Sequence, residues 1–148
     1  MHIIYSTHFG IKSNLNDLFL WFLNFENAPL YFPHIKYIKH VSDGSIREGS
    51  LLIEQVENIL GGIDELTLKV WKLSINREIL LIALNSRIHH VYQFQFFKTT
   101  KDVTSVSITL YTTKQNFFTQ LLIWFYFKPI VKKRMKKAKK NIQDVFGK

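Results

Sequence analysis

Two neighbouring segments of this chain alternate so regularly that they restrict what the rest can be. In 87–97, His90, Tyr92, Phe94 and Phe96 share one parity, while His89, Gln93 and Gln95 share the other. In Val103 to Thr112, Val106, Ile108 and Leu110 alternate with Ser105, Ser107 and Thr109. A period of two with one apolar and one polar face describes antiparallel strands, buried on one side and wet on the other. Five further segments read as strands: His2 to Phe9, Ile35 to Ser42, Glu48 to Ile59, Leu66 to Ile75 and Ile79 to Leu84. Asp43-Gly44, Gly61-Gly62 and Asn76-Arg77-Glu78 punctuate them, with Asp64 and Glu65 assigned to a turn.

Helical signals bracket this run. Asn14 is placed as an N-cap, and Leu15, Leu18, Phe19, Phe22 and Leu23 follow at helical spacing. Pro29 and Pro33 flank a second short helix around Leu30-Tyr31-Phe32. The order is strand, two short helices, six strands and one long helix. Strands grouped in this way, without regular β–α alternation, imply an α+β fold and not a doubly wound sheet. At 148 residues the expectation is one domain spanning the whole chain.

The last helix has its own pattern. Phe117, Leu121, Trp124, Lys128, Val131, Met135, Ala138, Ile142 and Val145 follow one another at intervals of four and three, with Lys128 the only interruption to an apolar stripe. The spacing predicts one helix from near Gln115 to near Val145, laid across the sheet and kinked at Pro129. Phe118, Leu122 and Phe125 project to one side of the stripe, and Lys132, Lys136, Lys139 and Lys140 continue that flank.

The net charge of +9 is concentrated there. Residues 1–127 carry 11 Lys and Arg against 10 Asp and Glu, whereas 128–148 carry 9 against Asp144 alone. An electrostatic partner would therefore meet the C-terminal segment. Three readings fit that segment: a solvated face, an interfacial helix on an anionic membrane, or a non-specific contact to nucleic acid. No recognised nucleic-acid-binding motif accompanies the lysines, so nucleic acid is not the expected partner.

The apolar window from Phe117 to Val131 is too short to span a bilayer, at roughly 22 Å against a hydrocarbon core of about 30 Å. No secretory signal is read at Met1 to His8, and the expected location is cytoplasmic, peripheral to a membrane if the basic helix is used there.

Chemistry-bearing motifs are sparse. There is no Cys, which excludes disulfides, thiolate metal sites and cysteine nucleophiles. No G-x-S-x-G is present, and Gly61-Gly62 lacks the partners of a phosphate loop. His89 and His90 face opposite sides of a regular strand and cannot chelate one ion. No catalytic residue, metal or cofactor is assigned. His90, on the inward face with Tyr92, Phe94 and Phe96, is either a core histidine or a polar group lining a cavity. Glu54 and Glu57 fall on opposite strand faces and form no carboxylate pair.

The segment Asn24-Phe25-Glu26-Asn27-Ala28-Pro29-Leu30-Tyr31-Phe32-Pro33-His34-Ile35, followed by Asp43-Gly44-Ser45-Ile46-Arg47-Glu48-Gly49, resembles the N-terminal third of the START-like superfamily, which includes polyketide cyclases and birch-pollen-allergen relatives. Tyr31-Phe32-Pro33 stands where Trp-x-Pro is frequent in that superfamily. The order of elements agrees along essentially the whole chain. The resemblance implies a helix-grip fold, in which a curved seven-stranded antiparallel sheet holds the C-terminal helix over an apolar cavity. It also implies a hydrophobic ligand such as a lipid, sterol or polyketide. Catalytic residues vary in the superfamily, and none carries over.

The surplus of aromatics, 15% of the chain, agrees with such a cavity. The expected function is non-catalytic binding or transport of a small hydrophobic molecule, lined by His90, Tyr92, Phe94, Phe96, Val106, Ile108, Leu110, Phe117, Leu121 and Trp124. One alternative is an enzyme of the polyketide cyclase or dehydrase type, with His90, Tyr92 or Glu54 as its polar groups. Another is an interaction module acting through the basic helix. Ionisable residues clustered in the cavity would favour the enzyme. The oligomeric state is left open.

Overall fold

The computed structural model describes residues 2–58, 60–86, 89–113 and 116–147. Strand β1 (His2–Ile11) leads to helix α1 (Leu15–Leu23), a single 3-10 turn (Phe25–Asn27) and the short α2 (Ala28–Tyr31). Six strands follow: β2 (Ile35–His40), β3 (Leu51–Glu57), β4 (Ile63–Ser74), β5 (Glu78–Ala83), β6 (Val91–Thr100) and β7 (Val103–Thr112). The chain ends in a helix of three parts: α3 (Phe117–Leu122), a π-helical turn (Ile123–Phe127) and α4 (Lys128–Phe146). The strands form one antiparallel sheet in the order β1-β7-β6-β5-β4-β3-β2, with α4 packed on β1 and α2.

The period-two reading placed the buried face correctly. Phe94, Phe96, Val106, Ile108 and Leu110 are all buried toward the helices. The opposite face carries hydrogen bonds that water also reaches. Tyr111 donates to Gln93 at 2.7 Å, and Gln93 donates to Glu78, which pairs with Lys72 at 3.0 Å.

Local chemistry sets the boundaries. Asn14 caps α1, its side-chain oxygen accepting from the Asp17 amide at 2.9 Å. Asn14→Ala should cost about 1 kcal/mol, and urea denaturation would measure it. β3 starts three residues later than alternation suggests, because Gly49 adopts φ +90° inside a turn closed by Ser50 N–H to Arg47 C=O. A residue with a Cβ rarely adopts that backbone, so the strand cannot extend through it. The end expected at Ile59 and the helix start at Gln115 lie outside the described residues, as does Arg87. The β6 start is a correction: the strand begins at Val91, because His89 takes φ +44° and it and His90 precede the strand.

Asp64 and Glu65 are not turn residues. They belong to β4 and pair with Val56 and Gln55 of β3. The hairpin is tighter than expected because Asn58 organises it. Its side-chain oxygen accepts from the Leu60 and Gly62 amides, and its own amide donates to Gly62 C=O. Gly61 and Gly62 thus stand in the turn between β3 and β4, with both amides bonded to Asn58.

Next to Pro129 the C-terminal helix has a widened turn, which changes which side chains face inward. Proline has no N–H to donate to residue 125, and its ring crowds that carbonyl. The turn before it widens, with Lys128 N–H bonding Ile123 C=O, an i→i−5 bond. The wider turn contains an extra residue and rotates everything before it by about one helical position. Val131, Met135, Ala138 and Ile142 stay buried, but the inward position N-terminal to the turn is Ile123. Trp124 points out, at 67% exposure.

Candidate functional site

The concave side of the sheet is filled mainly by aromatic rings. Phe22 of α1 contacts Tyr31, Phe94 and Phe96 at centroid distances of 5.2, 5.5 and 5.3 Å. Phe32 sits 5.8 Å from Tyr92, and Tyr92 lies 5.2 Å from His90 in an edge-to-face contact. Side chains from α1, α2 and β6 converge because each element turns its apolar face toward the same side of the sheet.

One carboxyl stands among them. Glu54 occupies the inward parity of β3, between the buried Leu52 and Val56, and is only 1% exposed. Both of its carboxyl oxygens are buried without a hydrogen-bond partner. Burial pushes its pKa up to about 7. A buried carboxyl stripped of water and left unpaired costs several kcal/mol when charged, so the group retains its proton well above the usual range.

Its neighbours feel that charge. The Tyr31 and Tyr92 hydroxyls are pushed above the ordinary phenolic range by burial and, secondarily, by Glu54. His90 is held neutral, lowered to about 4 by burial and then by His89. It exchanges a hydrogen bond with Ser86 through Nδ1 at 3.1 Å, while Nε2 is buried without a partner. His34 is lowered to about 3 by burial, then by Arg134 and His90. Arg134 leaves the lysine face of α4 and donates to the Glu57 carbonyl at 3.1 Å. Six ionisable groups from α2, β3, β6, α4 and the strand approaches thus form one electrostatic unit. Among the described residues, no group of three acidic or imidazole side chains could hold a metal ion.

The site residues expected from the sequence divide in two. His90, Tyr92, Phe94, Phe96, Val106, Ile108 and Leu110 are brought together on the concave side. Phe117, Leu121 and Trp124 are not with them, so the cavity expected between those three and the sheet is not formed. Their exposures are 76%, 39% and 67%, and with Gln120 and Phe125 they line an open cleft of about 270 Å³ on the helix itself. The π turn is the reason, since it rotates the stripe off the sheet.

The other flank is as expected at Phe118, Leu122 and Phe125, all exposed, and at Lys132, Lys136 and Lys140. Lys139 is a correction, being half-buried. A second open groove, about 670 Å³, runs between the end of α1 and β2 past Leu20, Leu23, Phe25, Ile38 and Ile46.

Tyr31, His34 and Arg134 were not among the expected site residues. Two signals were available: Glu54 is a charged residue at an inward strand position, and Arg134 is the one arginine in a lysine run, three residues after Val131 and directly before Met135.

No protein-family model and no curated protein matches the sequence. Solved structures do match the fold. A START superfamily protein from Mycobacterium smegmatis superposes with a TM-score of 0.75 at 14% identity, covering 99% of this chain and 97% of that one. A Streptomyces aromatase/cyclase gives 0.71 at 12%, covering 95% and 94%. A major latex-like protein from Panax ginseng gives 0.65 at 12%, covering 97% of each chain. With a seven-stranded antiparallel sheet, helices after β1 and a long C-terminal helix in the same order, this chain has the helix-grip fold of the START-like proteins.

Proposed function

We propose that the protein binds a small, largely apolar molecule on the concave side of the sheet by displacing rings that fill it, and that Glu54 receives the molecule's single polar group. The observation that supports this reading is the unpartnered carboxyl. Buried polar groups are paired in more than about nine cases in ten, and an exception marks a place where a missing partner belongs. A neutral carboxyl can donate to or accept from a hydroxyl, and an ionised one attracts an amine. The surrounding rings favour an apolar body. Two fold neighbours, a START superfamily protein and an aromatase/cyclase, are in keeping with this reading.

The head-group preference can be tested with dodecanol, dodecylamine and dodecanoate as probes. Dodecanol and dodecylamine should bind, and dodecanoate should lose affinity as pH rises through 7, where Glu54 ionises. Glu54→Gln should abolish that pH dependence, read by calorimetry. Equal binding of all three at every pH would refute the assignment of Glu54.

A second reading has its own support. A carboxyl titrating near 7, whose charge reaches two buried phenols, is suited to moving a proton at neutral pH. That arrangement favours a cyclase or dehydrase type of enzyme, with Glu54 as the acid–base group. Incubating the molecules that co-purify with the protein separates the two readings. Turnover lost in Glu54→Gln with binding retained supports catalysis, and recovery of the molecules unchanged supports a carrier.

A further inference from the structure

We propose that α3 and the π-helical turn form a lipid-docking element that inserts into the headgroup region of an anionic membrane. This inference stands apart from Glu54 and its ligand. From Phe117 to Tyr126, seven of ten side chains are large, apolar or aromatic, and exposed. Phe117, Phe118, Trp124, Phe125 and Tyr126 are each between 63% and 76% exposed. Ile123 alone in this stretch is buried.

The pattern of exposure selects the partner. A protein groove takes up one stripe of a helix, with anchors three and four residues apart. Here Phe117, Phe118, Leu121, Leu122, Trp124, Phe125 and Tyr126 cover most of the circumference, leaving only the Ile123 side against the body. A lipid layer can surround such a surface, and a rigid groove cannot. The stretch is only about 15 Å long, so it would lie in the interface and not cross it. Among the described residues no helix is long and apolar enough to span a membrane. Trp and Tyr suit this depth because they pair an apolar ring with a polar tip.

Charge gives the lipid its sign. The same helix continues into α4, where Lys132, Lys133, Lys136, Lys137 and Lys140 are exposed on the side away from Val131, Met135, Ala138 and Ile142. No Asp or Glu occurs between Asp102 and Asp144, so no acidic side chain of that stretch offsets them. Lys128 lies with its Nζ 4.5 Å over the Trp124 ring, which places a cation at the junction of the aromatic and basic parts. The aromatics would enter between headgroups while the lysines hold the phosphates. Pro129 makes this arrangement, since the widened turn before it carries Phe117, Leu121 and Trp124 away from the core.

The test is flotation of the full chain with vesicles of phosphatidylcholine alone and with phosphatidylserine added. Binding should require phosphatidylserine and should fall steeply with added salt, because exposed charges are screened beyond about 8–10 Å. Replacing Phe117, Phe118 and Phe125 by Ser should abolish binding with the melting temperature unchanged, since all three are exposed. Each Lys→Glu change at Lys133, Lys136 or Lys140 should weaken partitioning by fivefold or more, at about 1 kcal/mol per basic residue. Brominated lipid should quench tryptophan emission in the native chain and in a Trp21→Phe, Trp71→Phe variant that retains Trp124. Equal binding to neutral vesicles, or none to either kind, would overturn the proposal. So would a concentration-dependent dimer that the Phe→Ser variant removes in the absence of lipid, which would make a second copy the occupant. Retention on single-stranded nucleic acid without vesicle binding would likewise overturn it.

Discussion

Phe22→Ala should lower stability by about 3–5 kcal/mol, the range for removing a large aromatic from a well-packed core. Phe22 is 1% exposed, and its ring is within 5.5 Å, centroid to centroid, of Trp21, Tyr31, Phe94 and Phe96. It joins α1, α2 and β6, so the cavity left by alanine cannot be closed by moving one side chain. The melting temperature should drop by roughly 10–15 °C for a chain of this size. Phe97→Ala is the control. Phe97 is 53% exposed, and the change should stay within about 0.5 kcal/mol. Equal losses at both positions in thermal unfolding would refute this account of the core.

Glu54 should make the chain less stable as pH rises from about 4.5 to about 7. Its folded-state pKa is raised above that of the unfolded chain by burial. The native state therefore holds a proton that the unfolded state releases over that window. Stability is full below the unfolded pKa, is lost as pH rises through the folded one, and levels off above it. A raise from 4.5 to about 7 corresponds to roughly 3 kcal/mol of difference at pH 8.

The histidines act in the opposite sense. His90 and His34 are lowered to about 4 and about 3, so their contribution is present above about 6.5 and is lost as pH falls. The clean measurement is thus a difference. Urea denaturation of wild type and Glu54→Gln across pH 4 to 8 should show a gap that grows in favour of glutamine up to pH 7 and is constant beyond. A gap independent of pH would mean that Glu54 titrates normally in the folded chain.

Local pattern carried a large part of this fold. The inward faces of β6 and β7 follow from strict alternation, because a strand's side chains point to opposite sides by covalent geometry alone. Asn14 and the α1 stripe are likewise local. Where boundaries moved, the cause was a short-range feature that composition does not weigh correctly, such as Gly49 at positive φ or the Asn58 side chain that tightens the β3–β4 hairpin.

The site was legible only in part. Its concave-face residues on β6 and β7 followed from parity, and so did the inward position of Glu54. That Glu54 has no partner, and that the Tyr31 and Tyr92 hydroxyls feel its charge, depends on elements far apart in sequence.

The C-terminal helix shows the same division at closer range. Its existence and its basic half are written in a periodicity that needs no neighbours. Which half packs, and which presents its aromatics to solvent, was decided by a backbone rearrangement before Pro129 that advances the register by one residue. A straight helix and a helix with one π turn have identical sequences of side chains. The i→i−5 hydrogen bond from Lys128 to Ile123, in a helix packed on β1 and α2, distinguishes the two, and with it Trp124 faces outward.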